Sequence, residues 1–158
     1  MLRTKLHLTV AAVVFCQGRY LMVEEIDKHT GRKVINQPAG HVEENEDLIA
    51  AVNRELFEET GLKATPTGWL GISQLHAANG EFYFRVNFLF ELADLPQAHE
   101  PQDPDILALH WFSAEQLQEQ PLRSQLVITA VQNHQTNPPL PLHLISPMVH
   151  AFHANSPN

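Results

Sequence analysis

Cysteine is almost missing: Cys16 stands alone among 158 residues, so no internal disulfide can form and the chain suits a reducing compartment. Its expected use is that of a small buried apolar residue. Basic residues are also few. Ten Lys and Arg against 18 Asp and Glu leave a formal charge of −8, which argues against the basic footprint of a nucleic-acid surface. It also means that a phosphate-bearing ligand would need cations to offset the local field. No apolar run approaches the roughly 20 residues of a membrane span. The start, Met-Leu-Arg-Thr-Lys and then an apolar stretch, has the outline of a secretory leader. However, His7 and Thr9 interrupt it, and Gln17-Gly18-Arg19 reads better as a hairpin turn. The expected location is cytoplasmic. Glycine-rich phosphate loops, Ser or Cys nucleophile signatures and heptads are absent. The ten histidines include no pair at metal-ligand spacing on a helix, which speaks against zinc.

What is present is a hydrophobic content of 44%, enough for one domain with its own core over residues 1–147. Residues 148–158 have little to pack with and are expected to fray. Inside the domain one stretch stands out, Gly40 to Leu62. From about Asp47 to Thr60 it has no Gly or Pro and places apolar residues at 48, 49, 52 and 56, which is helix spacing. Asp47 or Asn45 can cap its start, and Gly61 can end it in a left-handed cap. Glu55, Glu58 and Glu59 crowd into its last turns. The helix dipole is negative there and disfavours each carboxylate by on the order of 0.3–1 kcal/mol. At ~100° per residue, Glu59 falls in line with the stripe of Leu48, Val52 and Leu56. A carboxylate cluster against a core edge is costly unless something positive meets it. Magnesium is the natural partner, with manganese as the alternative, because hard cations prefer carboxylate oxygens. A solvated acidic helix face is the plainer reading of three glutamates taken alone.

Around that helix the chain reads as strands. Residues 4–16 and 20–25 flank the turn at 17–19, and Lys28, Arg32 and Lys33 lie in a polar loop. After the helix, residues 68–76 and Phe82 to Leu92 flank the hairpin signal Asn79-Gly80. Arg85 sits among Phe82, Tyr83, Phe84 and Phe88, so its guanidinium either snorkels to the surface or points into a cleft. Trp69 and Tyr83 could stack on a substrate ring, but core packing is their expected use. Residues 94–105 form an acidic, Pro-rich loop, followed by a strand from Ile106 to Phe112. Ser113-Ala114-Glu115-Gln116 is a capping box that opens a short helix to about Gln120. Residues Leu122 to Gln135 read as a second long helix, stopped by Asn137-Pro138-Pro139.

The order Gly40, five residues, Glu46, seven residues, Arg54-Glu55-Leu56, one residue, Glu58-Glu59, one residue, Gly61-Leu62 fills every defined position of the Nudix box. So many fixed positions over 23 residues make chance agreement far less plausible than for a lone glycine motif. The chain therefore resembles the Nudix hydrolases. Asn36-Gln37-Pro38-Ala39-Gly40-His41, Asp105-Ile106 through Glu115, and Leu122-Arg123-Ser124 through Val127 are similar to the bacterial NudJ group of phosphatases. Two departures from the general pattern are mild: Ile35 where Trp is common, and Ala39 where Gly is common.

The resemblance implies an α/β/α sandwich with a mixed sheet and a magnesium-dependent phosphatase of nucleoside tri- and diphosphates. Its substrate would be a small diphosphate, with hydroxymethylpyrimidine pyrophosphate among the candidates. By family position, Glu55, Glu58 and Glu59 would hold the metal with the Gly40 carbonyl. Glu46, Arg54 and Gly61 would support them, and Arg85 and Gln37 would meet substrate. Glu58, with Arg54 and Glu55 beside it, is expected nearest the attacking water, as ligand or base. Asp103 or Asp105 is the other source of a base. A non-catalytic Nudix sensor that only binds nucleotide is the alternative, although such a domain would tolerate losses among the three glutamates.

Overall fold

The computed structural model describes residues 5–151. In chain order its strands are β1 (Leu6–Cys16), β2 (Arg19–Ile26), β3 (Lys33–Asn36), β4 (Ala39–His41), β5 (Gly68–His76), β6 (Phe82–Glu91) and β7 (Ile106–Phe112). The helices are α1 (Leu48–Thr60) between β4 and β5, and α2 (Ala114–Gln118) and α3 (Leu126–Thr136) after β7.

Gln17 and Gly18 both adopt positive φ, 48° and 80°, as a two-residue hairpin turn of the primed kind requires. β1 and β2 pair only beside that turn, at Phe15↔Tyr20 and Cys16↔Arg19, and then part. β1 continues between β4, antiparallel with Val10 opposite Gly40, and β6, parallel from Leu6↔Phe82 to Phe15↔Glu91. β5 closes that side against β6. β2 continues between β3 and β7, both antiparallel. The result is one mixed seven-stranded sheet.

Both faces of this sheet are covered, which is why β1 reads as a nearly unbroken apolar run rather than a strict alternation. Its even-numbered residues Val10, Ala12 and Val14 pack with Val86, Phe88 and Phe90 against Ala51, Val52 and Leu56 of α1. On the other face Val13, Tyr20, Met22 and Leu89 meet Leu117 of α2 and Val127, Ala130 and Val131 of α3. Full burial of each large apolar side chain is worth ~1.5–3 kcal/mol, so these two clusters set the α/β/α order of layers. Cys16 is buried and unpaired, and burial raises its thiol pKa. Trp69 packs at the edge of the α1-side core and donates its indole N–H to Pro141 O at 3.2 Å.

The caps of α1 are well defined. Asp47 Oδ1 accepts the Ala50 N–H at 2.8 Å, whereas Asn45 takes φ 62° in the preceding turn. At the other end Gly61 has φ 74°, and its N–H donates to Phe57 O. The acidic loop folds over this terminus: Gln102 and Asp103 N–H both donate to Glu58 O, at 2.7 and 2.8 Å. They thereby satisfy a helix-end carbonyl that would otherwise lack a partner.

Several boundaries differ from the sequence expectation, most by a residue. β1 begins at Leu6, with residue 4 outside the described part. α2 ends at Gln118. One difference matters more: α3 begins at Leu126, not Leu122. Ile35 N–H donates to Pro121 O at 2.8 Å, and Arg123 N–H donates to Ile35 O at 2.9 Å. Residues 121–123 therefore extend the sheet beside β3, with Leu122 bridged to Ile35. Their apolar content satisfies this use as well as it would a helix. Residues 148–151 have no regular structure, and the rest of the expected frayed tail lies outside the described residues. Among the described residues no helix is long and apolar enough to cross a membrane.

Gly61 and Gly71 both hold positive φ, 74° and 80°, so alanine at either faces roughly 1–2 kcal/mol of left-handed strain. Only at Gly61 would the new Cβ also strike backbone, the Glu100 carbonyl; Gly71 has nothing within 4 Å. Gly61→Ala is expected to lower the urea midpoint clearly more than Gly71→Ala. Equal losses would contradict this role of the loop.

Candidate active site

α1 lies along the short strand β4, and its polar edge is organised by Arg54. The guanidinium grips Glu46 with two bonds, Nε to Oε1 at 2.7 Å and Nη2 to Oε2 at 3.0 Å. Nη2 also donates to His41 O at 3.0 Å. Nη1 donates to Glu55 Oε1 at 2.8 Å and to Glu58 Oε2 at 3.1 Å. Glu46 in turn accepts the Glu43 N–H at 3.0 Å, which closes the loop ahead of the helix. The fork geometry of arginine allows one side chain to do all this. Bonding from Glu46 raises the Arg54 pKa, and the same bond from Arg54 lowers that of Glu46.

The three glutamates have different surroundings. The Glu58 side chain is 46% exposed and that of Glu55 only 12%. Burial raises the Glu55 pKa against the opposing effect of Arg54. Glu59 is 8% exposed. Its Oε2 accepts the Ala39 N–H at 3.0 Å, and no cation touches it among the described residues. Burial pushes its pKa up to about 9, with further contributions from Glu55, Glu25 and Asp103. In the protein alone Glu59 therefore keeps its proton at neutral pH. A Cβ at Gly40 would meet the Glu55 carboxylate, the movable end of that side chain, so glycine here lets the carboxylate keep its place against the backbone. No set of three His, Cys, Asp or Glu converges on one point among the described residues. The reason is visible in the contacts: Arg54 Nη1 stands between Glu55 and Glu58, and Glu59 faces the backbone.

Beside Gly40 opens a cleft of about 650 Å³, lined by Asn36, His41, Tyr83, Arg85 and Arg123 among others. Sheet register explains the grouping. Thr9 of β1 pairs with His41 on one side and Arg85 on the other, and His7 pairs with Tyr83. Directly paired residues share a face, so these side chains lie on the α3 side of the sheet while Gly40 turns its Cα toward Glu55. Of the two options for Arg85, the cleft is the one adopted, and its Nε and Nη1 are buried without a hydrogen-bond partner among the described residues. The ring of His7 stacks on Tyr83 at 4.5 Å and contacts His41 Nε2 at 3.1 Å through Nδ1.

Gln37 is placed differently. It is 0% exposed, its amide has no partner, and it does not line the cleft. Gln37 belongs to the β3–β4 connection with its side chain turned inward, so the substrate contact expected of it is not on the cleft wall. Two acids of the 94–105 loop have hydrogen-bonded side chains, through one oxygen each. Asp105 Oδ2 accepts from Lys28 at 3.0 Å, and Asp103 Oδ1 accepts the Asp105 N–H at 2.8 Å. His41 and Arg123 are cleft residues that sequence reasoning did not select, and Tyr83, expected chiefly in the core, also lines the cleft. The signal for His41 was its position next to Gly40; the strand register that brings Tyr83 to the cleft has no mark in the sequence.

Comparison with known proteins agrees with this geometry. Residues 5–129 match the NUDIX domain model. Phosphatase NudJ of Escherichia coli (strain K12) is 40% identical over 142 residues, 89% of this chain and 91% of that protein. The NUDIX hydrolase from Nitrosomonas europaea superposes with a TM-score of 0.82 at 33% identity, covering 91% of this chain and 98% of that one. The MutT NUDIX hydrolase from Burkholderia pseudomallei gives a TM-score of 0.69 at 26% identity, covering 82% and 98%. With the sandwich fold, the filled box and these relatives in agreement, the chain belongs to the Nudix hydrolase family and is a pyrophosphohydrolase of that family.

Proposed function

We propose that the protein hydrolyses a phosphoanhydride bond in nucleoside tri- and diphosphates and related small diphosphates, including hydroxymethylpyrimidine pyrophosphate, with magnesium as cofactor and manganese as its substitute. The observation that carries this reading is the pair Gly40 and Glu59: a backbone left bare against Glu55, and a buried carboxyl with no cation of its own. Both fit a hard divalent cation, since Glu55, Glu58, Glu59 and the Gly40 carbonyl are all oxygen donors. When bound, such a cation offsets charge on the phosphate oxygens and acidifies the attacking water.

The chain's own residues supply the rest. Glu58, the most open of the three glutamates, takes the proton from water as the water oxygen bonds to phosphorus and the bridging P–O bond breaks, its electrons leaving with the departing phosphate oxygen. Arg54 restrains Glu58 and Glu55 and ties them to the loop through Glu46. Arg85 brings an unpaired guanidinium to the cleft for phosphate oxygens. A sensor that only binds nucleotide has no need of all three glutamates, and all three are present.

Three outcomes are expected. Glu58→Gln should lower magnesium-dependent phosphate release from a nucleoside triphosphate by about 10²–10⁴-fold while the circular dichroism spectrum is unchanged; equal turnover would remove Glu58 from the mechanism. Gly40→Ala should weaken magnesium binding, measured calorimetrically, on the order of 10–100-fold, as disturbed support of a ligand does. Third, Glu59 ionises near 4.5 when unfolded but only near 9 in the metal-free fold. The stability this provides is complete below the lower value and is lost as pH rises through the higher one. The melting temperature of metal-free protein should therefore fall between about pH 5 and pH 9, and Glu59→Gln should flatten the curve. A parallel curve in the variant would show that Glu59 is not the group responsible.

A further inference from the structure

The cleft holds a second arginine that the mechanism above does not use. Arg123 lies on its wall, in the segment that displaces the start of α3. Its backbone is fixed to β3 by the bonds flanking Leu122. Its side chain is fixed by Glu25, whose Oε1 accepts Nη1 at 2.8 Å and also the Asn36 amide at 3.3 Å. Arg123 is 37% exposed at the side chain, so the restraint leaves it open to the cleft. Arg85 lines the same cleft with two buried nitrogens unpaired. A buried guanidinium without a partner is costly, and a second cation nearby adds to the cost. The charge of Arg123 reaches Arg85: burial first, and then Arg123, pulls the Arg85 pKa down to about 10. Glu59 and Glu25 oppose that shift from a distance, and Glu25 pairs with Arg123, but no hydrogen bond reaches Arg85 Nε or Nη1 among the described residues. A chain with only ten Lys and Arg and a charge of −8 nonetheless places two of them on one cleft wall, where an anion would meet both.

Resting on the hydrolase reading, we propose that Arg85 and Arg123 form a two-guanidinium clamp for a substrate phosphoryl group other than the one at the glutamates, and that Arg123 sets a preference for chains ending in a free phosphate. A terminal phosphoryl group carries nearly two negative charges and three open oxygens, which two forks can share. A phosphoryl group esterified on both sides carries one charge and two such oxygens, and it gains less.

The test uses the full chain and the variants Arg123→Gln and Arg123→Lys. Inorganic pyrophosphate is titrated calorimetrically into metal-free protein, beside ADP-ribose, a diphosphate esterified at both ends. Wild type should bind pyrophosphate more tightly, Arg123→Gln should weaken that binding at least about tenfold and close the gap, and Arg123→Lys should fall between, since lysine keeps the charge and loses the fork. With magnesium and a nucleoside triphosphate, the loss should appear in KM rather than kcat. No binding of pyrophosphate by wild type, or unchanged pyrophosphate affinity or KM in Arg123→Gln at unchanged melting temperature, overturns the clamp. Arginine-dependent pyrophosphate binding in a protein with no turnover overturns the hydrolase reading and leaves the clamp standing.

Discussion

Three carboxylates and a backbone carbonyl share the guanidinium of Arg54: Glu46, Glu55, Glu58 and His41 O. Everything distinctive about the site depends on that sharing. Without it, like charges would crowd the end of a helix whose dipole is already negative. Removing one partner of a buried ion pair is strongly destabilising, and loss of Arg54 would leave two shielded acids, Glu46 and Glu55, without theirs. The same side chain spans two elements, since Glu46 belongs to the loop before α1 and His41 to β4. Arg54 therefore sets the distance between helix and loop as well as the local charge.

Glu59 escapes this arrangement, and that is informative. It lies in line with the apolar face of α1, is nearly buried, and among the described residues accepts a hydrogen bond only from the Ala39 N–H. A residue there that was chosen for stability alone would be leucine. Retaining a carboxyl makes physical sense where a cation completes the seat, with Gly40 leaving room for it. The cleft carries the complementary charge. One side of the β4–β1–β6 row faces α1 and the glutamates, while the other presents His41, Arg85 and Tyr83. A phosphate chain reaching from one to the other would pass from an acidic seat that needs metal to a basic wall that does not.

Much of this was legible in the sequence because it rests on local rules. Helix spacing, the Asp47 cap and the Gly61 terminus specify α1 to within a residue, and the spacing of Gly40, Glu46, Arg54, Glu55, Glu58 and Glu59 marks the site. Sequence patterns failed where tertiary pairing decides. Leu122 has the right apolarity for a helix and for a strand, and only the two bonds to Ile35 choose between them. Gln37 sits in a loop that reads as exposed, yet the sheet buries it completely. Tyr83 and Arg85 look like a core strand because Phe84, Val86 and Phe88 alternate with them. Which face opens into a cleft depends on where α3 starts.

The central claim is that Glu55, Glu58, Glu59 and the Gly40 carbonyl seat a divalent cation beneath a phosphate chain. The most direct measurement is anomalous diffraction from a crystal grown with manganese and a non-hydrolysable nucleoside triphosphate analogue. The account predicts anomalous density within coordination distance of those oxygens, with Arg54 Nη1 withdrawn from at least one of Glu55 and Glu58 and the analogue's phosphates in the cleft toward Arg85. Ordered analogue in the cleft with the manganese elsewhere, and the three glutamates still held by Arg54 and Ala39, would contradict it.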